Sequence, residues 1–483
     1  MRASVFRFRL RRRGCHGRQA DSRAQPAAVE LRFIDTPKSK ETDVSSPAEP
    51  DARLVASGAA KFFRRILPML VLMLVINQMD RTNVGFIKEH VQVDIGVGAA
   101  AFGLGAGLFF VGYALFEVPS NMLLERVGAR MWLTRIMISW GLVTVASAFV
   151  QNEVQFALAR FLLGVCEAGF FPGVIYYFTK WLPDAYRGRA NAVFLGGSAT
   201  AYIVTGPISG ALLEMHGVGD IAGWRWMFFF EGVVSVVVGA LAIFVLRSRV
   251  EDAPWLTPEE KSALSAAVRR DAEARRSAGT VSRWRLLLDV RIVLLTIVFF
   301  AIGLTTAAIT FWLPSLVGQI EGTSDFAVGL LSAIPWLFAV AAMYVLAKRT
   351  DGAPDRRPYL AGALVLSAVG AFLATVGGPW FGLVALVAAA IGVKCASTMF
   401  WPLVPQTLDV RVAAGGIALI NSLGNLAGFF APSLLGYIEE STGSTDLALY
   451  VFAAASLVVL CALPGLRRVR EASPAAATER VGT

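Results

Sequence analysis

Charged residues are scarce in this sequence. Asp, Glu, Lys and Arg make up 17% of its 483 residues, against about 25% in a typical soluble domain. Apolar residues make up 55% of the chain and the mean hydropathy is +0.59, which argues against a soluble globular protein. Apolar runs long enough to cross a bilayer recur along the chain, so the composition predicts a polytopic membrane protein.

Cysteine and histidine are also scarce. The four cysteines, Cys15, Cys166, Cys395 and Cys461, are far apart and form no CxxC motif, which predicts neither a disulfide framework nor a zinc site. The three histidines lie in the amino-terminal arm or near the ends of apolar runs. No HExxH motif, paired catalytic aspartates or nucleophile elbow occurs in an apolar run. We therefore predict no enzyme, no metal and no bound cofactor.

The basic residues are placed unevenly. A pI of about 9.7 would suit a nucleic-acid-binding protein, but the excess Lys and Arg lie in the amino-terminal arm and in alternate loops. That distribution is the one expected from the positive-inside rule, so no nucleic-acid partner is predicted. The apolar runs predict twelve membrane spans, at about 66–87, 99–123, 131–150, 155–179, 190–213, 224–246, 291–317, 326–347, 359–377, 380–403, 412–437 and 446–465.

Every even-numbered loop is basic, which places both termini and the central loop in the cytoplasm. We predict five regions: a disordered basic arm (1–61), a six-helix lobe (62–246), a linker (247–290), a second six-helix lobe (291–466) and a tail (467–483). The linker contains an amphipathic helix, since Thr257, Pro258 and Glu260 match a capping box. The arm has no apolar core of signal-peptide length. An Arg-rich targeting segment or a misassigned start codon stays open for it.

Two charges of opposite sign interrupt the fourth span. Arg160 and Glu167 are seven residues apart, so both project from one face of a helix. Because a charge at the bilayer centre costs roughly 2.5–3.5 kcal/mol, such residues usually face a bundle interior or a wet cavity. One interpretation is a structural salt bridge. The other is an anion site on Arg160, which suits a carboxylate, beside a Glu167 that binds a proton.

Other polar residues lie within spans. Asp80 and Arg81 project about 100° apart on a helix, so one can face a ligand while the other contacts a neighbouring helix. Tyr113 is a candidate hydrogen-bond donor to an anion, and equally a packing residue. Lys394 lies in the middle of a span, where it can bind a second anionic group, pair with a carboxylate, or extend to the interface. Asn421 and Asn425 share a face and can bind ligand hydroxyls or join helices.

Several motifs together resemble the major facilitator superfamily. They are Asp80-Arg81, NMLLERVGAR (121–130), RFLLGVCEAGFFPG (160–173), GWRWMFFFEG (223–232), FWPLVP (400–405) and GGIALINSLGNLAGFFAPSLLGY (415–437). Within it they resemble the anion:cation symporter family, and the bacterial branch of tartrate, phthalate and hydroxyphenylacetate permeases. The resemblance covers about 62–466, nearly all of the chain except the arm and tail.

The resemblance implies an all-α protein of two six-helix lobes that carries organic carboxylates with protons across the bacterial inner membrane. It places proton coupling on Asp80 and Glu167, and substrate binding on Arg81, Arg160 and Tyr113. To these we add Lys394, Asn421 and Asn425 as candidates. The gating motif falls on Glu125, Arg126, Gly128 and Arg130. We expect a monomer whose partners are a small carboxylate, protons and lipid. The alternatives are an exporter of the same fold and a membrane sensor that binds anions without moving them.

Overall fold

The protein folds into α-helices joined by short connections. The structure, a computed structural model, describes residues 51–276, 289–350, 353, 355–408 and 410–466, and within these ranges it contains no strand. The α-helices are α1 (Ala52–Arg65), α2 (Leu67–Thr82), α3 (Val84–Ile95), α4 (Ala99–Val127), α5 (Ala129–Ser147), α6 (Glu153–Glu167), α7 (Phe170–Trp181), α8 (Asp184–Leu213), α9 (Gly223–Val245), α10 (Pro258–Arg276), α11 (Val290–Gly318), α12 (Asp325–Arg349), α13 (Arg357–Leu373), α14 (Pro379–Thr407), α15 (Val410–Asn425), α16 (Ala427–Thr442) and α17 (Asp446–Val458). The described ranges also contain three short 3₁₀ helices, Val218–Asp220, Val250–Asp252 and Val459–Gly465.

Each of the twelve predicted spans coincides with helix. Within the described ranges, eight helical segments are long and apolar enough to cross a bilayer. The other four spans correspond to α5, the shorter α13, and two helices that are interrupted. The first span is divided between α2 and α3, and the eleventh between α15 and α16. The predicted all-α membrane fold is confirmed.

The fourth span differs from its prediction as one continuous helix over 155–179. It bends after Glu167, because Ala168 leaves the helical region of backbone angles and Gly169 has a φ of +87°. A side chain at Gly169 would be strained in that conformation and would lie 2.5 Å from the Ser120 hydroxyl. Ser120 stabilises the bend by donating a 2.6 Å hydrogen bond to the carbonyl of Ala168. The bend leaves Glu167 at the end of α6.

The disordered arm predicted for residues 1–61 is wrong at its carboxyl end, because α1 begins at Ala52. This helix is strongly amphipathic and packs against α10 of the linker. Its fully buried Phe62 contacts Tyr177, Phe178 and Trp181 of α7. Asp51 caps it by accepting a hydrogen bond from the Arg53 amide. Residues 1–50 and the tail 467–483 lie outside the described residues. In the linker the predicted capping box is confirmed, since Thr257 and Glu260 each accept a hydrogen bond from the other's backbone amide.

Helices α2–α9 and α11–α17 form the two halves, which meet through α4 with α16, α8 with α12, and α3 with α11. Glycines bring the backbones together at these crossings. A Cβ on Gly103 would lie 2.2 Å from the carbonyl oxygen of Pro432, and one on Gly206 would lie 2.2 Å from that of Gly329. Such close approach is typical of helices packed within a membrane.

Polar contacts join the halves at the end away from the linker. Lys88 Nζ donates to both carboxylate oxygens of Glu439, at 2.6 and 2.5 Å. His90 Nε2 lies 3.2 Å from Asp325 Oδ2. Two cross-lobe carboxylates also cap helices, as Glu214 accepts from the Phe326 amide of α12 and Glu440 from the Ala100 amide of α4. The molecule is therefore closed at this end.

Candidate functional site

A cavity of about 240 Å³ lies between the two halves. Two cations line it from opposite sides, Arg81 on α2 and Lys394 on α14. The wall also carries hydroxyl and amide groups, from Gln78, Thr82, Thr306, Thr310, Ser397 and Asn425. A void of only about 10 Å³ adjoins it, between Thr82, Tyr202 and Trp336. That is about the space of one water, so the cavity is shut on this side. Its surface suits a small anion that also has hydrogen-bonding groups.

Arg81 forms an ion pair that connects the cavity to the buried interior. Its guanidinium donates from Nε and Nη2 to one carboxylate oxygen of Glu167. The Arg81 side chain is 22% exposed, whereas that of Glu167 is fully buried. The guanidinium also lies over the rings of Phe109 and Tyr113, at 5.1 and 4.8 Å from their centroids. A cation that is partly exposed and partly held by a buried carboxylate can exchange that carboxylate for an incoming one.

Asp80 and Arg81 diverge as their helical spacing predicts. Asp80 is buried and accepts a 3.0 Å hydrogen bond from the hydroxyl of Thr144 on α5. Arg160 is also buried, does not line the cavity, and interacts electrostatically with both Asp80 and Glu167. Its Nε and Nη1 atoms have no hydrogen-bond partner among the described residues. In the structure Glu167 is therefore paired with Arg81, and Arg160 is a buried cation close to both carboxylates.

Of the two interpretations of Arg160, an anion site would place this residue at the cavity wall, and in this structure Arg160 does not line the cavity. The spacing of seven residues does put both side chains in the interior, where both are buried. Spacing along one helix does not show which partner a second helix supplies, and here α2 supplies Arg81 to Glu167.

Only some of the other predicted binding residues line the cavity. Tyr113 is buried below Arg81 and does not line the cavity. Asn425 lines the cavity, whereas Asn421, one helical turn away, does not. Lys394 lines it with its ammonium 3.9 Å from the ring centroid of Tyr202 and 5.1 Å from that of Trp336. Among the described residues no carboxylate forms a salt bridge with Lys394, so aromatic rings take the place of the predicted carboxylate partner.

The predicted gating residues lie at the linker end of α4 and α5. Glu125 and Arg126 are exposed. Gly128 ends α4 with a φ of +95°, which favours glycine. Arg130 donates two hydrogen bonds, of 3.0 and 2.6 Å, to the carbonyl of Ile243 near the end of α9. Arg130 therefore ties α5 to α9 within the first half, and the gating role of the motif stays a prediction.

Sequence reasoning missed Thr144, Tyr202 and Trp336. Thr144 lies on a span without a conspicuous motif, and its role depends on Asp80 approaching from another helix. Tyr202 and Trp336 were not distinguished from the many aromatic residues of the spans. Their one available signal is the presence of a hydroxyl or an indole NH within an apolar run, which marks an aromatic residue able to contact polar groups.

Comparison with known proteins agrees with this architecture. Residues 70–432 match the family model described as Major Facilitator Superfamily. A protein of Agrobacterium vitis named "Putative tartrate transporter" is 40% identical over 395 residues, covering 82% of this chain and 88% of that protein. A protein of Acinetobacter baumannii named "Quinolone resistance transporter" is 38% identical over 400 residues, covering 83% and 92% respectively.

Solved structures show the same fold at low sequence identity. A bacterial homologue of the human lysosomal transporter Spinster, in an inward-facing conformation, superposes with a TM-score of 0.68 at 16% identity, covering 84% of this chain and 98% of that one. A partially occluded, inward-open xylose transporter from E. coli gives a TM-score of 0.67 at 12% identity, covering 86% and 100%. By its family match, its relatives and its fold, the chain belongs to the major facilitator superfamily, as a membrane transporter and not an enzyme.

Proposed function

We propose that the protein imports small organic carboxylates across the bacterial inner membrane together with protons. The observation that carries this proposal is the contact of Arg81 with Glu167. It places a guanidinium in the cavity that is neutralised by a fully buried carboxylate. The relatives named as tartrate transporters support a carboxylate as the substrate. The proton is the only coupling ion in this proposal, and no cofactor takes part. Both termini lie in the cytoplasm, as the basic loops predict.

The coupling follows from competition for Arg81. When a substrate carboxylate docks on Arg81, Glu167 loses its hydrogen bonds to that guanidinium. An unpaired charge is costly in the interior, and such a group takes up a proton rather than remain ionised. Substrate and proton therefore bind together. After the substrate leaves towards the cytoplasm, Glu167 releases its proton and returns to Arg81.

Asp80 and Arg160 form the second part of the proposed mechanism. Arg160 is a permanent buried cation near both carboxylates, so the charge of the site changes as Asp80 and Glu167 bind or release protons. A proton that enters down a potential of 100 mV supplies about 2.3 kcal/mol. This energy favours protonation of Asp80 and Glu167 from outside and release of their protons inside.

The first experiment is uptake into proteoliposomes under an imposed inward proton gradient, against a panel of mono- and dicarboxylates. We expect one or more acids to accumulate, and accumulation to collapse when a protonophore is added. Glu167→Gln should keep exchange of labelled for unlabelled substrate but lose gradient-driven accumulation, because the amide cannot carry the proton. Glu153→Gln is the matched control, since Glu153 is an exposed residue at the other end of α6.

Normal accumulation by Glu167→Gln would refute its coupling role. Binding without movement of any acid would favour the sensor alternative. Export is the second candidate direction, and the relative named for quinolone resistance favours it. Inverted vesicles with an acidic lumen distinguish the two directions. An exporter would accumulate a quinolone in the lumen in exchange for protons, whereas the proposed importer would carry tartrate out of the lumen together with protons.

A further inference from the structure

Lys394 is held by two aromatic rings that come from opposite halves of the protein. Its ammonium lies 3.9 Å from the ring centroid of Tyr202, on α8, and 5.1 Å from that of Trp336, on α12. The two rings lie 4.5 Å apart, tilted at 32°. We call these three residues the Lys394 cage. A cation over a ring face is attracted most strongly where water is excluded, so the cage competes with any anion for Lys394.

The cage lies between the cavity and the closed end of the molecule. Tyr202 lines both the cavity and the small void beyond it. One turn along α8, Gly206 contacts Gly329 of α12 at backbone distance. Tyr202 belongs to the first half, whereas Trp336 and Lys394 belong to the second. Any movement that opens this end must separate α8 from α12, and therefore Tyr202 from the other two residues.

We propose that the Lys394 cage is a specificity site whose affinity depends on conformation. This inference rests on the proposed function. A dicarboxylate places one carboxylate on Arg81 and the other on Lys394. With the outer end closed, Tyr202 competes for Lys394 and weakens the second contact. With the outer end open, Tyr202 withdraws and Lys394 binds the second carboxylate fully.

The consequence is a transporter that binds a dicarboxylate tightly from outside and loosely from inside. A ligand shifts a conformational equilibrium only by its differential affinity for the two states. The cage supplies such a difference for dianions and none for monoanions, which use Arg81 alone. It thereby favours dicarboxylates as the substrate class and promotes their release into the cytoplasm.

The test compares Tyr202→Leu, which removes the ring, with Tyr202→Phe, which keeps it. Tartrate and lactate serve as the dicarboxylate and monocarboxylate, and half-saturation is measured from each face in right-side-out and inverted vesicles. For Tyr202→Leu we expect the half-saturating concentration of tartrate at the cytoplasmic face to fall about tenfold, with little change at the outer face. Neither variant should alter the values for lactate, and Tyr202→Phe should match the wild type. Lys394→Met should weaken the binding of tartrate but not that of lactate. In a protein that carries Lys394→Met, adding Tyr202→Leu should have no further effect.

Two results would refute the role proposed for the Lys394 cage without refuting carboxylate transport. One is an equal change in half-saturating concentration for tartrate and lactate, and the other is an equal change at both faces. Normal lactate transport by Tyr202→Leu shows that this variant is folded. If the wild type moves no carboxylate, both the proposed function and the inference fail.

Discussion

Arg81 and Arg160 carry the same guanidinium but lie in different surroundings. Arg81 is partly exposed in the cavity and hydrogen-bonded to Glu167. Arg160 is buried, lies 5.3 Å from the ring centroid of Phe109, and leaves two of its nitrogens without a hydrogen-bond partner among the described residues. Desolvating a charge costs several kcal/mol even in a relaxed protein interior. Asp80 and Glu167 offset that cost by their proximity. In the proposed mechanism, Arg160 therefore acts through these carboxylates, whereas Arg81 binds the substrate.

The matched substitutions Arg81→Lys and Arg160→Lys test this difference. A hydrogen bond to a charged group contributes about 1.5–3 kcal/mol, so Arg81→Lys should raise the half-saturating concentration about tenfold or more. Arg160→Lys should instead lower the maximal rate and the accumulation ratio, with half-saturation changed less than about threefold. Steady-state uptake at several pH values measures all three quantities. If both variants raised half-saturation equally, Arg160 would be a direct substrate contact.

The sequence predicts that four charged residues lie within the spans, and the structure buries Asp80, Arg160 and Glu167 and places Arg81 at the cavity wall. It does not predict that Arg81 is the partner of Glu167. The intramembrane positions of Asp80, Arg81, Arg160 and Glu167 follow from the high cost of charge in lipid, which one sequence reveals. Their partners depend on which helices pack together. The assignment of Glu167 to Arg81, and of Thr144 to Asp80, needed three dimensions. So did the cage, since Tyr202, Trp336 and Lys394 come from three different helices.

At the scale of elements, α1 and α10 form a small unit around Glu260. Lys61 Nζ and Ser57 Oγ each lie 2.7 Å from a carboxylate oxygen of Glu260. Burial alone would raise the pKa of Glu260, but the hydrogen bonds from Lys61 and Ser57 outweigh it and lower the pKa to about 2, from an ordinary value of 4.5. A pKa lowered in the folded state means that the ionised carboxylate stabilises the packing of α1 on α10. This stabilisation is complete above about pH 4.5 and is lost as the pH falls towards 2.

Spin labels at the exposed positions Ala56 and Ser262 would report this packing. We expect a single narrow distance between the labels above pH 4.5 and a broader distribution as the pH falls towards 2. Glu260→Gln should broaden the distribution at neutral pH and remove its dependence on pH. Glu259→Gln is the control, because Glu259 is exposed on the same helix and should leave the distance unchanged. A narrow distance in Glu260→Gln would show that apolar contacts alone hold α1.

The sequence was informative on α10 and misleading on α1. A capping box is a local signal, and Thr257 and Glu260 fold as it predicts. Residues 52–65 carry four basic residues, as the arm before them does, and are too few to form a membrane span, so their apolar face was not recognised as a helix that packs on α10. The bend after Glu167 is also local, but a single glycine within a helix usually serves packing, so Gly169 gave no distinct signal.

For the whole molecule, α3 makes polar contacts that help to close the end away from the linker. It carries Lys88 and His90, which contact α16 and α12 of the other half. The Lys88 and Glu439 side chains are only 8% and 23% exposed, so their pairing is screened less than a surface salt bridge. Lys88 lies in the loop after the first predicted span, and the other odd-numbered loops carry no Lys or Arg. Its pairing with Glu439 explains why a basic residue lies there.

Lys88→Met should destabilise the outer closure, because Glu439 is left without its partner. A change of one or two kcal/mol shifts an equilibrium by about 5- to 30-fold. A cysteine at Ser397 in the cavity wall, with the native cysteines replaced, should therefore react about 5- to 30-fold faster with an impermeant thiol reagent added outside. The double variant Lys88→Glu with Glu439→Lys should restore slow labelling. Glu89→Gln is the control, because Glu89 is exposed on α3 and its substitution should leave the labelling rate of the wild type unchanged. Slow labelling in Lys88→Met would show that the glycine contacts suffice for closure.

Those glycine contacts have a thermodynamic consequence. Where Gly103 meets Pro432 and Gly206 meets Gly329, backbone lies against backbone. Separating such surfaces exposes little apolar area. Since the heat-capacity change of a transition follows the apolar area that it exposes to water, opening at these crossings should have a small heat-capacity change. The enthalpy difference between the open and closed forms should then vary little with temperature, so a van't Hoff plot of the conformational equilibrium should be close to a straight line.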